Sequence, residues 1–469
     1  MAGISSYGAY IPRLRLPLAA IGGGAPKPGG PEKAVANYDE DAVTMGVAAA
    51  IDCLAGIDRA TIDAVLFAST SYPFKEKQGA AIIAKALDLR RDVHTADLGD
   101  SLRAGTSALR AGLDAIRAGS AKRVLVVVSD ARVAAPRSAV EANLGDAAAA
   151  FLLGSDEVVA EVRALHTVSD EIIDVWRGEG DPFVHQWEDR FVVDHGYRQN
   201  VREVVKGLFG KAGIGPKDVT KAAVYGPDAR AHATAVREIG LDPKAQIEDG
   251  LFGKVGSAGA ALAPLLLAGA LAQAKAGQKL LVVAYGDGAD ALLLETTPQV
   301  ERLEGRRGVA WHLVRRAELK SYDTYLRLRQ FIATEHDRRA GAGLSATKHF
   351  RDRDADVTLI GQKCRRCGQA QFPRQRVCYH CFARDEFDRV RLSDKIGTVR
   401  SFTFDNFAGS PTPPLVAGIV EVEGARLYIQ MTDVDPKEVK LAMPVELTFR
   451  KIHEAGGTPN YFWKSTPVR

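Results

Sequence analysis

One pattern of helix, strand and strand occurs twice in this sequence, about 155 residues apart. In each copy, small and apolar residues recur at helical spacing and are followed by two short, continuous apolar runs. The three elements are predicted at 101–118, 124–128 and 147–153 in the first copy, and at 256–274, 280–284 and 291–294 in the second. A repeat constrains the fold more than any single motif, so the sequence predicts two related α/β halves that pack together.

Length and composition restrict the class of protein. A chain of 469 residues is too long for one core, which predicts two or three domains. Hydrophobic residues make up 46% of the chain and charged residues 26%, as in ordinary globular proteins. The net charge of +4 is too small to indicate a nucleic-acid partner. Neither a signal peptide nor an uninterrupted apolar run of about 18 residues is evident, so we expect a cytoplasmic protein without a membrane partner.

Four of the five cysteines form a cluster with metal-binding spacing. They are arranged as two C-x-x-C pairs, Cys364 with Cys367 and Cys378 with Cys381. Four thiolates at this spacing suit tetrahedral zinc, and a site closed by four cysteines has no open position for catalysis. The sequence therefore predicts one structural zinc ion per chain. The fifth cysteine, Cys53, lies among apolar residues and is predicted to be part of the core.

The chain divides into five predicted parts. Two α/β halves occupy 1–160 and 161–300, a linker with an amphipathic helix 301–350, a zinc ribbon 351–385 and a small OB-type barrel 386–469. The barrel is inferred from four alternating segments separated by Gly and Pro, at 397–404, 416–423, 425–431 and 444–450.

An aromatic and charged insertion lies between the two repeat copies. It contains Trp176, Arg177, His185, Glu188 and Arg190. Such residues in a loop are typical of a substrate pocket, but a loop pinned by its own aromatic side chains has the same composition. Both interpretations stay open from the residues alone.

Several stretches resemble known families. The repeat resembles the thiolase superfamily, and four segments resemble hydroxymethylglutaryl-CoA synthase and ketoacyl synthase III: AVANYDEDAVTM (34–45), DVWR (174–177), GKVGSAGA (253–260) and YGDG (285–288). The C-terminal part resembles the zinc-ribbon/OB module that accompanies thiolase-like enzymes as a fused domain or a partner subunit. The resemblance implies a duplicated thiolase-like αβαβα fold, a rubredoxin-like zinc ribbon, a small OB-fold β-barrel, and a coenzyme A thioester as the substrate.

The catalytic positions of the resembled families carry other residues here. The nucleophilic cysteine falls on Leu102, the histidine on Tyr225 and the asparagine on Lys254. The synthase's glutamate base falls near Thr70. The resemblance therefore implies the family scaffold without a cysteine nucleophile.

Three functions follow as alternatives. The first is an aldolase or retro-aldolase acting on a β-hydroxyacyl-CoA, with Tyr225 as the acid/base and Lys254 stabilising the enolate, or with His185 or Glu188 as the base. The second is a hydroxymethylglutaryl-CoA synthase-like acyltransferase that uses Ser101 or direct transfer between bound thioesters. The third is a non-catalytic CoA-binding partner subunit.

Substrate contacts are expected from the composition of the insertion and from the resemblance, and protein partners from the resemblance alone. The residues expected to contact substrate are Trp176, Arg177, Arg190, Thr70 and Gly256. Thiolase-fold proteins pair through the sheet of the N-terminal half, so we expect a homodimer, or a larger complex with other thiolase-like or hydratase subunits.

Overall fold

The computed structural model describes residues 2–303, 306–332, 345–408 and 410–469. The chain forms two compact units. Unit 1 comprises residues 1–36, 41–84 and 89–325, and unit 2 comprises residues 37–40, 85–88 and 326–469. The predicted linker at 301–350 lies partly outside the described residues. Its predicted amphipathic helix, 322–332, is present as a shorter helix.

Strands and helices alternate along the first part of the chain. The strands are β1 (Gly3–Tyr10), β2 (Leu14–Pro17), β3 (Glu32–Val35), β4 (Ala64–Ala68), β5 (His94–Leu98), β6 (Val124–Asp130), β7 (Ala147–Gly154), β8 (Ala160–Ser169), β9 (Val175–Trp176), β10 (His185–Gln186), β11 (Lys221–Val224), β12 (Lys279–Tyr285), β13 (Gly288–Thr296) and β14 (Ala317–Glu318). The helices are α1 (Leu18–Ile21), α2 (Ala42–Cys53), α3 (Gly79–Ala86), α4 (Ala104–Arg117), α5 (Asp189–Phe191), α6 (Gln199–Ala212), α7 (Ala229–Glu238), α8 (Leu262–Gln273), α9 (Gly308–Val314) and α10 (Tyr322–Leu328).

A nine-stranded sheet contains the repeat. Its order is β11-β12-β13-β8-β1-β7-β6-β4-β5. In the first half β6 runs parallel to β4 and antiparallel to β7, and in the second β12 runs parallel to β11 and antiparallel to β13. The antiparallel pair β1 and β8 joins the two halves at the centre of the sheet. The predicted repeat is confirmed: α4, β6 and β7 correspond to α8, β12 and β13.

Burial on both faces explains the composition of the central elements. Every residue of β6 is buried, as expected for a strand covered by helices on both sides. Gly105 of α4 allows a close approach, because a Cβ atom there would lie 2.9 Å from the carbonyl oxygen of Ala260 and 3.0 Å from Cγ of Pro264. Helices α4 and α8 therefore pack so closely at Gly105 that there is no room for a side chain.

The start of α2 differs from the prediction. The acidic residues 39–41 predict the first turn of a helix that continues to Leu54, because acidic side chains stabilise a helix N-terminus. In the structure the helix begins at Ala42, and Asp41 caps it in a reciprocal capping box with Thr44. Asp39 and Glu40 belong to unit 2 instead.

Unit 2 contains the zinc-ribbon sheet and a closed barrel. Its elements are α11 (Ala346–Asp356), β15 (Ile360–Cys364), β16 (Ala370–Gln371), β17 (Phe387–Arg391), β18 (Gly397–Asp405), β19 (Leu415–Val422), β20 (Ala425–Met431), β21 (Pro444–Ala455) and β22 (Thr458–Pro467). The barrel order is β18-β19-β20-β22-β21. The fifth strand, β22, was not predicted, because three consecutive polar residues in it (Lys464, Ser465 and Thr466) are buried and break the apolar alternation.

A buried cluster of charged side chains lies in unit 2. The Lys464 ammonium contacts Asp39 at 2.9 Å, and the Arg450 guanidinium contacts Glu40 at 3.1 Å and Asp433 at 2.9 Å. All five side chains are at most 1% exposed. Burial raises the pKa of Glu40 to about 7, against the effect of Arg450. For Asp39, burial is outweighed by Lys464 and Arg450, and the net shift of its pKa is downward.

A helix that crosses a bilayer needs about 18 or more predominantly apolar residues. Among the described residues, none of the helices combines the length and hydropathy needed to cross a bilayer.

Candidate functional site

A pocket of about 350 Å³ opens at the start of α4 in unit 1. We call it the α4 pocket. Its walls come from both halves of the sheet and from the insertion, and consist of Ser69, Thr70, Tyr72, Asp100, Ser101, Leu102, Arg132, Asp174–Arg177, Val184, Gly286 and Asp287. Four of the predicted site residues therefore lie together here: Ser101, Thr70, Trp176 and Arg177.

Ser101 and Leu102 immediately precede α4, where the positive end of the helix dipole faces the pocket. The Ser101 hydroxyl donates a hydrogen bond to the carbonyl oxygen of Gly286 at 3.1 Å. Leu102 contributes an apolar wall, and none of the pocket-lining residues is a cysteine. The chain's one cysteine outside the ribbon, Cys53, is buried at the end of α2, and burial raises its pKa to about 12. The residues that line the α4 pocket therefore offer no thiol.

Asp130, the last residue of β6, organises two loops at the pocket. Its Oδ1 accepts hydrogen bonds from the Thr70 amide (2.7 Å) and from the hydroxyls of Ser69 and Ser71 (both 2.9 Å). Its Oδ2 accepts from the Thr70 hydroxyl at 2.9 Å and from the Ala260 amide at 2.8 Å. The carboxylate is fully buried, so these bonds replace its hydration and fix the loop after β4 and the loop before α8.

Asp174 and Tyr285 form a buried acid–phenol pair at the pocket wall. The Tyr285 hydroxyl donates to Oδ2 of Asp174 at 2.6 Å. Burial raises the pKa of Asp174, although the Tyr285 hydrogen bond and the Val175 amide oppose this shift. Burial and the neighbouring Asp174 charge raise the pKa of Tyr285, so the phenol stays protonated and remains the donor. This arrangement gives the pocket a carboxyl group whose raised pKa makes it a stronger base once it is ionised.

Tyr225 lies behind the pocket wall. It follows β11, is 3% exposed, and its ring packs 6.2 Å from that of Tyr285. Burial raises its pKa, while the Arg132 charge and the Ser257 hydroxyl act in the opposite direction. Lys254, which was expected to act with Tyr225, lies on the surface, and its ammonium contacts Asp249. The contacts of the described residues do not bring Lys254 and Tyr225 together.

The remaining predicted residues are also outside the α4 pocket. His185 is exposed, stacks on Trp176 with ring centres 5.7 Å apart, and places Nε2 3.4 Å from Asp181. Glu188 and Arg190 line a separate surface depression further along the insertion. The catalytic and binding roles suggested for them from sequence stay predictions.

Gly256 lies in a tightly packed loop. Its φ of +94° is in the region that favours glycine, and a Cβ would lie 3.0 Å from backbone atoms of residues 143–145. A glycine is therefore required at this position so that two backbone segments can lie in close contact.

Sequence reasoning did not select Asp130, Arg132, Asp174 or Tyr285 as site residues. Asp174 and Tyr285 lie in DVWR and YGDG, two of the stretches that carried the family resemblance, so a signal was present. Asp130 is the last residue of the buried strand β6 and Arg132 follows it, where charged residues usually indicate a surface turn.

The four ribbon cysteines converge in unit 2. Their sulfur atoms all lie within 4.8 Å of one another, and the Cys364–Cys381 and Cys367–Cys378 sulfur pairs are 3.6 Å apart. Zn–S bonds of about 2.3 Å in a tetrahedron require separations of this size. The two cysteine loops share a backbone pattern, because the amides of Gly368 and Phe382 donate to the carbonyl oxygens of Cys364 and Cys378. The residues present fit a structural zinc ion.

Family models match the C-terminal region. Residues 355–388 match the rubredoxin-like zinc ribbon domain of ChsH2, and residues 389–450 match the C-terminal OB-fold domain of ChsH2. These matches agree with the ribbon sheet and the closed barrel of unit 2.

Curated relatives cover the rest of the chain. The hydroxymethylglutaryl-CoA synthase of Methanocaldococcus jannaschii is 30% identical over 345 residues, which span 71% of this chain and 99% of the relative. The chain belongs to the hydroxymethylglutaryl-CoA synthase family.

Solved structures agree with the thiolase-like fold of this synthase-family chain. MvaS in complex with 3-hydroxy-3-methylglutaryl coenzyme A has a TM-score of 0.63 and 21% identity, covering 73% of this chain and 94% of that structure. The 3-oxoacyl-[acyl-carrier-protein] synthase III of Aquifex aeolicus has a TM-score of 0.58 and 19% identity, covering 63% and 100%. A thiolase-like α/β fold followed by a zinc ribbon and an OB-fold barrel is therefore the architecture of the chain, as the sequence predicted.

Proposed function

We propose that this chain forms or breaks a carbon–carbon bond of an acyl-CoA thioester by aldol chemistry, without a covalent acyl-enzyme intermediate. The observation that carries the proposal is the α4 pocket, which has the Asp174–Tyr285 pair on its wall. Leu102 also lines it, and the resemblance implies that this residue replaces the family nucleophile. The membership of the family supports an acyl-CoA substrate, because a relative is solved in complex with such a thioester.

The proton steps follow from the chemistry of the pocket residues. In the cleavage direction the Asp174 carboxylate takes the proton of the β-hydroxyl, and the bond between the α and β carbons breaks to give a carbonyl compound and a thioester enolate. The proton held by Asp174 is then transferred to the α carbon of the enolate, which gives the shorter acyl-CoA and restores the carboxylate. In the addition direction the same steps run in reverse. Tyr285 donates to Oδ2 of Asp174 and so holds the carboxyl group in place, which makes it a positioning residue.

A condensing acyltransferase is the second candidate, and the name of the relatives favours it. It would use Ser101, which lines the pocket, as the acyl acceptor. A serine needs a base within hydrogen-bond reach, but the Ser101 hydroxyl donates to the carbonyl oxygen of Gly286. For this reason the aldol mechanism fits the described contacts better.

Mass spectrometry of products and adducts tests both candidates. Purified protein is incubated with a panel of β-hydroxyacyl-CoAs, alongside Asp174→Asn, Tyr225→Phe and, as a matched control, Asp287→Asn at the exposed rim of the same pocket. We expect the wild type to release acetyl-CoA or propionyl-CoA with an aldehyde or ketone. We expect Asp174→Asn to lower the rate by about 10²- to 10⁴-fold and Asp287→Asn to change it little.

The other outcomes separate the alternatives. Loss of activity in Tyr225→Phe with full activity in Asp174→Asn would show that Tyr225, and not Asp174, is the base. An acyl adduct on Ser101 would establish the acyltransferase. Neither product nor adduct across the panel would refute both enzymatic proposals and favour a CoA-binding partner subunit that also forms homodimers or larger complexes with thiolase-like or hydratase subunits.

A further inference from the structure

A π-helical segment, Val192–Arg198, encloses the Tyr285 hydroxyl and joins α5 to α6. A Cβ atom at Gly196 of this segment would lie 2.6 Å from the hydroxyl oxygen of Tyr285, so not even a methyl group fits between this backbone and the phenol. The ring of the next residue, Tyr197, packs edge-on against the Tyr285 ring, with centres 5.4 Å apart. Short π-helical segments are frequent at functional sites, and this one supplies two of the walls around the phenol.

Asn200, in the first turn of α6, fixes this segment. The side chain is 2% exposed, and its amide nitrogen donates to the carbonyl oxygen of Gly196 at 2.8 Å and to Oδ2 of Asp170 at 2.7 Å. A side-chain amide has two N–H donors, so both are used. Asp170 directly follows β8, and its backbone N–H donates to the carbonyl oxygen of Asp287 at 3.3 Å. Asn200 therefore ties Gly196 to the end of a strand of the main sheet.

We propose that Asn200 is a positioning residue of the α4 pocket: by binding Gly196 and Asp170, it keeps the Tyr285 hydroxyl in place as the donor to Asp174. The hydroxyl donates to Oδ2 of Asp174 at 2.6 Å, and such a pair keeps its distance only when the surrounding groups are themselves held. Without Asn200 the carbonyl of Gly196 loses a donor, and the backbone can move away from the phenol. The inference rests on the proposed function in taking Asp174 as the base.

This support affects the proton affinity of Asp174. Burial raises the pKa of Asp174, and the hydrogen bond from Tyr285 opposes this shift, so a weaker bond raises the pKa further. Burial and the Asp174 charge, with a smaller contribution from Asp170, raise the pKa of Tyr285, and the phenol stays protonated. The variants below leave in place the other charged and titratable groups around this pair, which are Asp287, Tyr225, Asp100, Arg132 and Arg177.

The pKa of Asp174 can be measured without turnover. The full-length protein carries an NMR-active carbon isotope in its aspartate carboxyl groups, and the Asp174 resonance is identified by its loss in Asp174→Asn. The resonance is followed through a pH titration of the wild type, Asn200→Ala and Gly196→Ala. A hydrogen bond to a charged group corresponds to a pKa change of about 1 to 2. We expect each variant to weaken the bond and to raise the pKa of Asp174 by about 1.

Two controls assign the effect to the proposed contacts. Gln199→Ala is the matched control, because Gln199 is the exposed neighbour of Asn200 at the start of α6, and this variant should leave the pKa of Asp174 unchanged. Asn200→Ala is also combined with Tyr285→Phe. It should cause no further change there, because Asn200 acts through the phenol. Thermal unfolding verifies that each variant is folded, and Asn200→Ser replaces the alanine variant if it is not.

The outcomes distinguish this inference from the proposed function. A pKa of Asp174 within about 0.3 of the wild type in both Asn200→Ala and Gly196→Ala would overturn the inference, as would a rise that persists in the Tyr285→Phe background. A pKa that rises as expected, in a protein that cleaves no β-hydroxyacyl-CoA, would support the positioning role and refute the aldol proposal. Where cleavage occurs, the acidic limb of the kcat/KM profile should move to higher pH in Asn200→Ala, and an unmoved limb would overturn the role of Asn200 in this reaction.

Discussion

Replacement of Asp130 by asparagine gives a sharp test of how the α4 pocket is held together. The substitution keeps the size of the side chain but turns one oxygen into an NH₂ group. The hydroxyls of Ser69, Thr70 and Ser71 can rotate to accept a hydrogen bond from that group, but a backbone amide cannot. One of the two amides, that of Thr70 or that of Ala260, therefore loses its acceptor in either orientation of the new side chain.

The size of the effect follows from these contacts. A hydrogen bond to a charged group contributes about 1.5–3 kcal/mol, and a buried donor left without a partner costs a similar amount. We therefore expect local opening of the loop to become easier by about 3 kcal/mol. This corresponds to roughly a hundredfold faster hydrogen exchange at the affected amide, since each 1.4 kcal/mol is about tenfold.

Hydrogen–deuterium exchange resolved to the peptides around residues 70 and 260 measures this directly. Asp63→Asn is the matched control: its carboxylate also accepts from two backbone amides, those of Lys122 and Arg123, but it is 31% exposed. Water can replace these bonds, so exchange there should change by less than about tenfold. Wild-type protection of both Thr70 and Ala260 in Asp130→Asn would refute the role assigned to Asp130, as would a uniform rise in exchange that includes α6.

Two further predictions concern unit 2. The protein as isolated should contain about one zinc ion per chain by elemental analysis, and Cys378→Ser should lower that content and expose residues 355–388 to proteolysis; full zinc content in the variant would contradict the four-thiolate site. Burial raises the pKa of Glu40 to about 7. Its contribution to stability is therefore fully present below the unfolded pKa of about 4.5 and is lost as the pH rises through about 7. Glu40→Gln should therefore flatten the fall in melting temperature over this interval and stabilise the protein by about 1 kcal/mol or more near pH 8; an unchanged slope would show that another group causes it.

Continuous apolar runs and fixed motifs made most of the fold predictable. The bounds predicted for β20, 425–431, are those observed, because this strand lies between clear breaks and its buried residues alternate regularly. The four cysteines were predictable because zinc requires their spacing. Strand β22 was not, because its buried Lys464 is compensated by Asp39, which is 425 residues away. Local patterns carry no information about such a partner.

The site was predictable in part for similar reasons. Thr70 and Ser101 were found through family positions, and Trp176 and Arg177 through the composition of the insertion. The pairing of Tyr225 with Lys254 was expected because both occupy family catalytic positions. An aligned position does not fix the direction of a long side chain, and Lys254 reaches Asp249 on the surface instead. Arg132 was missed because its place in the wall of the pocket is a property of the folded chain.

The members of the buried charge cluster of unit 2 lie at opposite ends of the sequence, which affects both the synthesis of the chain and the transfer of this region between genes. Asp39 and Glu40 leave the ribosome long before Arg450 and Lys464, so the early acidic segment has to wait for its basic partners. A gene fragment that begins after residue 325 would encode both cations without two of their three acids. Recombination that moved the ribbon and barrel alone into another gene would therefore have to be accompanied by replacement of those cations, or by a recipient that provides two acidic residues in their place.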